Sequence, residues 1–167
     1  SGVEVSADMF EGGAHVDNQT NVEGVFNLKG LAPGSYQVWV YAQDRGYVLE
    51  HYDDRLRGRG ADPVRISGSN HVTNVDFDLK RGATISGVVI DGDTGLPIPG
   101  MDVRAFVFGS TTVGDSDVSW TVSDRDGTYS LQGVPDGVIE VIVWGQGYLE
   151  QIKSITVRNG ADVTLDF

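Results

Sequence analysis

Aspartate pairs are the residues best placed for chemistry in this chain. Asp91 and Asp93 share one turn-rich stretch, Asp115 and Asp117 a second, and Asp124 and Asp126 a third. Calcium takes six to eight oxygens from clustered carboxylates and carbonyls, so Asp91, Asp93, Asp124 and Asp126 form a candidate calcium set. The competing role is local, because aspartate bonds its own backbone in turns and Asp126-Gly127 is a turn signal. No twelve-residue loop closed by glutamate is present, which excludes an EF-hand. Aromatic side chains come next. If Tyr36, Val38 and Val40 face a core, Trp39 and Tyr41 face away from it, and Trp144, Phe106 and Phe108 do the same in the second half. Trp39, Tyr41 and Trp144 are therefore candidates for stacking on sugar rings or on a protein partner, against the alternative that they pack under loops. His15, His51 and His71 are scattered and have no helix to present them as ligands. Arg55, Arg57 and Arg59 form a basic island balanced by Asp53, Asp54 and Asp62.

The composition excludes several classes. The 167 residues carry 24 acids against 12 bases, a formal charge of −12, which argues against a nucleic-acid partner. There is no cysteine, hence no disulfide scaffold, thiol catalysis or thiolate zinc site. Hydrophobic residues make up 40%, enough for a packed core, yet no run is long enough for a membrane-spanning helix. Residues 1–81 hold 12 acids and 8 bases, and residues 82–167 hold 12 and 4, so the acidity is concentrated in the second half. No signal peptide is visible, and Ser1-Gly2 reads as the cut start of a longer chain.

The elements that position these residues come in two copies. Gly24, Leu28, Gly30 and Gly34 fall on Gly127, Leu131, Gly133 and Gly137 at one constant offset, and Val38 and Val40 fall on Val141 and Val143. Gly46-Tyr47 answers to Gly147-Tyr148. Ser1–Val5 answers to Pro99–Val103, and Val75-Asp76-Phe77 to Leu165-Asp166-Phe167. The second copy has an extra opening segment, Ala83 to Ile98, so the first lacks one strand and its turn. The first module is therefore expected to expose a sheet edge, or to fill it with Glu11–Thr20, with a neighbouring chain or by rearrangement.

Period-two alternation runs through residues 36–41, 74–79, 139–144 and 162–167, with Gly, Asp and Asn between the runs, and it predicts half-buried antiparallel strands. Asn159-Gly160 predicts a tight hairpin, because both positions accept positive φ. No stretch shows capped helical periodicity. Each module reads as a two-sheet sandwich, with about six strands in the first and about seven in the second. Only five residues separate Leu79 from Ile85, so the link between the modules is short.

The second module resembles the carboxypeptidase regulatory-like domain. The resemblance is carried by Ile85–Asp91, Thr94–Gly100, Asp124–Tyr129, Leu131, Gly137 and Gly147-Tyr148, and it covers nearly all of residues 83–167. The first module is similar over Thr20–Phe26, Leu31–Tyr36, Gly46-Tyr47, His51–Asp53, Ala61–Val64 and Val75–Phe77. The resemblance implies an all-β chain of two tandem antiparallel Greek-key β-sandwiches of the transthyretin-like type. Their expected bounds are 1–81, N-terminally truncated, and 82–167, complete. It further implies a non-catalytic accessory, spacer or adhesion role in a larger secreted or cell-surface bacterial protein, with no catalytic residue and no cofactor other than the calcium considered above. Neighbouring domains of the parent protein, a polysaccharide or a surface protein are the implied partners. A related group, the collagen-adhesin B-type modules, forms a Lys–Asn isopeptide bond. Residues 83–91 contain no lysine, and the three lysines are Lys29, Lys80 and Lys153, so that bond is not expected in the second module.

Overall fold

The structure is a computed structural model that describes residues 1–10, 12–52, 62–68, 70–108 and 117–167. It divides into two compact units, residues 1–42 with 49–79, and residues 43–48 with 80–167.

Among the described residues, the first unit is built on one sheet. Its strands are β1 (Glu4–Met9), β2 (His15–Gln19), β3 (Gly34–Tyr41), β4 (Glu50–His51) and β5 (Val64–Ile66). The order is β2-β1-β3-β4, and β5 pairs with the other end of β3. Val5 lies opposite Val40 and Ala7 opposite Val38, so one face of the sheet is apolar and these four residues are buried. Tyr36 joins them, fully buried, and its hydroxyl donates to the Ala32 carbonyl at 2.9 Å. A buried phenol needs such a partner.

The second unit has two sheets. Its strands are β6 (Ala83–Val88), β7 (Asp102–Val107), β8 (Asp117–Val122), β9 (Thr128–Val134), β10 (Gly137–Gly145), β11 (Tyr148–Val157) and β12 (Val163–Thr164). One sheet runs β11-β10-β7-β8, and the other runs β12-β6-β9. Ile85, Val103, Leu131, Val134, Ile139 and Val141 are wholly buried between them. The alternation in β9 and β10 aims every second residue at this core, as a half-solvated sheet requires. Residues 43–48 belong to this unit. Gln43–Arg45 form a 3-10 turn, and the Gln43 side chain donates to the Val118 carbonyl. The Arg81 guanidinium lies 4.4 Å from the Tyr47 ring centroid, and Gly82 donates to the Gly46 carbonyl at 3.0 Å.

The two units share a strand order. β2-β1-β3-β4 in the first answers to β8-β7-β10-β11 in the second, with Val5 opposite Val40 as Val103 is opposite Val143. Their turns agree as well. Asn21 Oδ1 accepts the amides of Glu23 and Val25 at 2.9 Å each, and Asp124 Oδ1 accepts those of Asp126 and Thr128 at 3.0 and 2.9 Å. Gly24 and Gly127 close these turns at φ 82° and 69°, where a side chain would be strained.

Four details differ from the sequence reading. Among the described residues the first unit has one sheet of five strands, where two sheets and about six strands are expected. Residues 74–79 form no strand, although Val75, Phe77 and Leu79 keep the expected half-buried alternation. Their counterparts in the second unit pair with β6, and the described residues of the first unit include no such strand. His15–Gln19 does not fill that place, because it pairs with β1 at the edge of the sheet built on β1 and β3. Asn159 and Gly160 do turn with positive φ, at 56° and 60°, but the flanking strands part company. β12 pairs with β6, and in parallel, so the turn carries the chain between sheets rather than closing a hairpin.

Leu131 is wholly enclosed at the centre of the second unit. Leu131→Ala is expected to destabilise that unit by about 2–5 kcal/mol, through lost transfer energy and a residual cavity. Chemical denaturation checks it, and a change well under 1 kcal/mol would contradict this core assignment.

Candidate functional site

The aspartate turns are built by their own backbone. Asp91 Oδ1 accepts the amides of Asp93 and Thr94 at 2.9 and 2.8 Å, and Oδ2 accepts the Tyr148 hydroxyl at 3.0 Å. The Thr94 amide, with these other donors, holds the Asp91 carboxyl below its ordinary pKa, while the bond to Asp91 raises that of Tyr148. Asp124 Oδ2 accepts the Thr128 hydroxyl at 2.6 Å, and that bond chiefly depresses its carboxyl. Asp93 and Asp126 are exposed and supply their amides to these turns. Among the described residues, no three or more His, Asp or Glu side chains gather in a way that could hold a metal ion. Asp115 lies outside the described residues, as do Asp53, Asp54, Arg55, Arg57 and Arg59. A cleft of about 720 Å³ opens beside Asp91, Tyr148, Leu149 and Met101.

The outer face of the first unit gathers Trp39 with two histidines. Trp39 is half-buried, with the His15 ring 6.2 Å away and the His51 ring 6.0 Å away, centroid to centroid. Ser6, paired with Trp39 on β1, is small enough to lie buried. His51 is hydrogen-bonded to Gln37 at 2.9 Å, and His15 Nδ1 to Asp8 at 2.6 Å. Tyr41 stands at the rim, more exposed than Trp39. His71 is exposed and separate from this group.

The outer face of the second unit is more open. Register places Trp120, Arg104, Ile142 and Ile152 in one row across β8, β7, β10 and β11. Trp120 is 61% exposed and Ile152 53%. Trp144 lies in the adjoining row opposite Asp102, with the Arg104 guanidinium 5.0 Å from its ring centroid. Phe106 is half-buried and Phe108 exposed. Trp120 is the residue that sequence reasoning missed. A bulge between Ala105 and Phe106 shifts the β7–β8 register, turning Ser119 inward to burial and Trp120 outward.

These sheets define a transthyretin-like β-sandwich architecture. The profile of the carboxypeptidase regulatory-like domain matches residues 84–167, half of the chain, and the protein belongs to that family. Comparison with curated proteins gives no match. Among solved structures, the chain is similar to the TIE protein of Bacillus anthracis, at 16% identity and a TM-score of 0.43, over 99% of this chain and 30% of that one. It thus spans about a third of that protein's length. It is also similar to a minor pilin of Streptococcus agalactiae, at 15% identity and a TM-score of 0.40, over 99% of this chain and 81% of the other. The 5-hydroxyisourate hydrolase of Klebsiella pneumoniae is similar at 15% identity and a TM-score of 0.39, over 51% of this chain and 82% of the enzyme.

The Asp8 hydrogen bond raises the pKa of His15 above its ordinary value of 6.5. A raised folded-state pKa stabilises fully below the unfolded value, and that contribution is lost as pH rises through the folded one. An NMR titration of the His15 ring should have its midpoint above 6.5, and Asp8→Asn should move it back down. An unmoved midpoint in Asp8→Asn would remove Asp8 as the cause.

Proposed function

We propose that this chain is a non-catalytic surface module of a larger secreted or cell-surface bacterial protein, serving as spacer, scaffold or adhesion element. The supporting observation is the repeated sheet, with β2-β1-β3-β4 and β8-β7-β10-β11 in one order on one chain that carries the regulatory-like domain. We read residues 1–81 and 82–167 as two copies of that module, the first lacking its opening strand. A repeated, disulfide-free sandwich suits a role in reach and presentation. No helix among the described residues is long and apolar enough to cross a membrane. The test is an antibody raised against residues 84–167, applied to intact cells that make the parent protein. Labelling without permeabilisation is the expected result, and labelling only after permeabilisation would overturn the surface assignment.

A second reading is favoured by the open aromatic face of the second unit. Trp120, Arg104 and Trp144 offer flat rings and a cation to a polysaccharide or a surface protein. On this reading, retention on a polysaccharide column is lost in Trp120→Ala and in Trp144→Ala, while Trp39→Ala, in the half-buried histidine group, has the smaller effect. Retention unchanged in both of the first two variants would sink it.

A further inference from the structure

In the second unit, β6 is the middle strand of its sheet. It runs antiparallel to β9, with Ile85 opposite Leu131 and Gly87 opposite Tyr129, and parallel to β12, with Ile85 opposite Val163. The parallel pairing continues beyond β12, where Leu165 donates to Ser86 at 2.8 Å and Phe167 to Val88 at 2.9 Å. The repeat assigns residues 25–31 of the first unit to β9 and Val75–Phe77 to Leu165–Phe167. Both stretches are present in the first unit, yet neither belongs to a strand. Between them lies a groove of about 920 Å³, floored by Val38, Val64 and Ile66 and walled by Phe26, Leu28 and Val75. Val38 answers to Val141, which shares the core of the second unit with Ile85.

The walls stand as they do around β6. Tyr129 and Phe167 approach to 6.3 Å between ring centroids in the second unit, and their counterparts Phe26 and Phe77 to 6.2 Å in the first. Asp166 accepts the Val88 amide at 2.9 Å, and its counterpart Asp76 lines the groove. We propose that this groove is a strand-acceptor site. It takes one extended peptide segment with the pattern of residues 84–89 as a middle strand, antiparallel to residues 25–31 and parallel to residues 73–76. Apolar side chains at every second position would cover Val38 and Val64, and backbone amides and carbonyls would complete both ladders. A glycine is required at the place of Gly87, where a Cβ would lie 2.0 Å from the Leu165 carbonyl oxygen.

The probe is a synthetic peptide of residues 82–91, titrated into the intact chain and followed by amide NMR and hydrogen exchange. Saturable binding is expected, with loss of fast exchange in residues 25–31 and 73–76. A peptide carrying Ile85→Asp and Gly87→Val should not bind. In the chain, Leu28→Asp should weaken binding, while Leu149→Ser, on an exposed side chain of the second unit, should not. Absence of saturable binding overturns the proposal, as does binding whose shifts map to β8 and β11. Slow exchange of both stretches before peptide is added would also overturn it, because the groove would then be closed. Protection that grows only with chain concentration assigns the groove to a second copy and overturns the peptide assignment.

Discussion

Every backbone amide and carbonyl removed from water has to find a partner, and the middle strand of a sheet answers that requirement on both sides at once. β6 does so in the second unit, giving β9 one ladder and β12 with Leu165–Phe167 another. The first unit carries similar flanking sequences, with no strand between them among the described residues. They still bury alternate side chains, Phe26 and Leu28 on one side and Val75 and Phe77 on the other. Burial by period two and ladder formation are thus separable. Apolar side chains settle on the nearest apolar face, while hydrogen bonding waits for a neighbour at strand spacing.

Five aspartates of the second unit answer the same requirement. Asp91 and Asp124 accept turn amides, Asp136 accepts those of Asn159 and Gly160, Asp162 that of Thr84 and Asp166 that of Val88. A carboxylate accepts from two or more N–H groups without needing a proton of its own, so it suits loop ends where several donors point outward. These carboxylates are spread over separate turns rather than gathered around one point. Of the four aspartates that suggested calcium, Asp91 and Asp124 accept backbone amides, and Asn21 does in the first unit what Asp124 does in the second, without a charge.

Much of the architecture could be read from spacing, because turns and period-two runs are local. Gly24 and Gly127 marked the turns, and the valines at 38, 40, 141 and 143 marked the inward face, all of them buried. The family also followed from local marks, since residues 84–167 match it. What could not be read depended on pairing between distant segments. The bulge at Val118 in β8 decides that Trp120 faces out, and no turn or glycine signal within residues 117–122 announces it. The parallel pairing of β12 turns on where the chain goes after Asn159-Gly160, which the turn residues do not specify. Residues 43–48 join the second unit through contacts with Lys80–Gly82 and Val118, far away in sequence. For the candidate sites, residue types were visible and surroundings were not. The His15–Trp39–His51 group is assembled from three strands.

The two sheets also separate what packing dictates from what it leaves open. At matching inward positions, Val38 and Val40 stand where Val141 and Val143 stand, because a close-packed interior constrains volume. At the outward positions between and beside them, Trp39 and Tyr41 stand where Ile142 and Trp144 stand. One face became a closed group of tryptophan between histidines, tied to Asp8. The other became an open row of Trp120, Arg104, Ile142 and Ile152. Two sheets with one strand order and matching interiors keep their packing on the inward face, while their outward faces are free to differ. Among the described residues the units therefore differ in two places: the outer faces, where the side chains are unlike, and the groove, where the second unit has β6 and the first shows no strand.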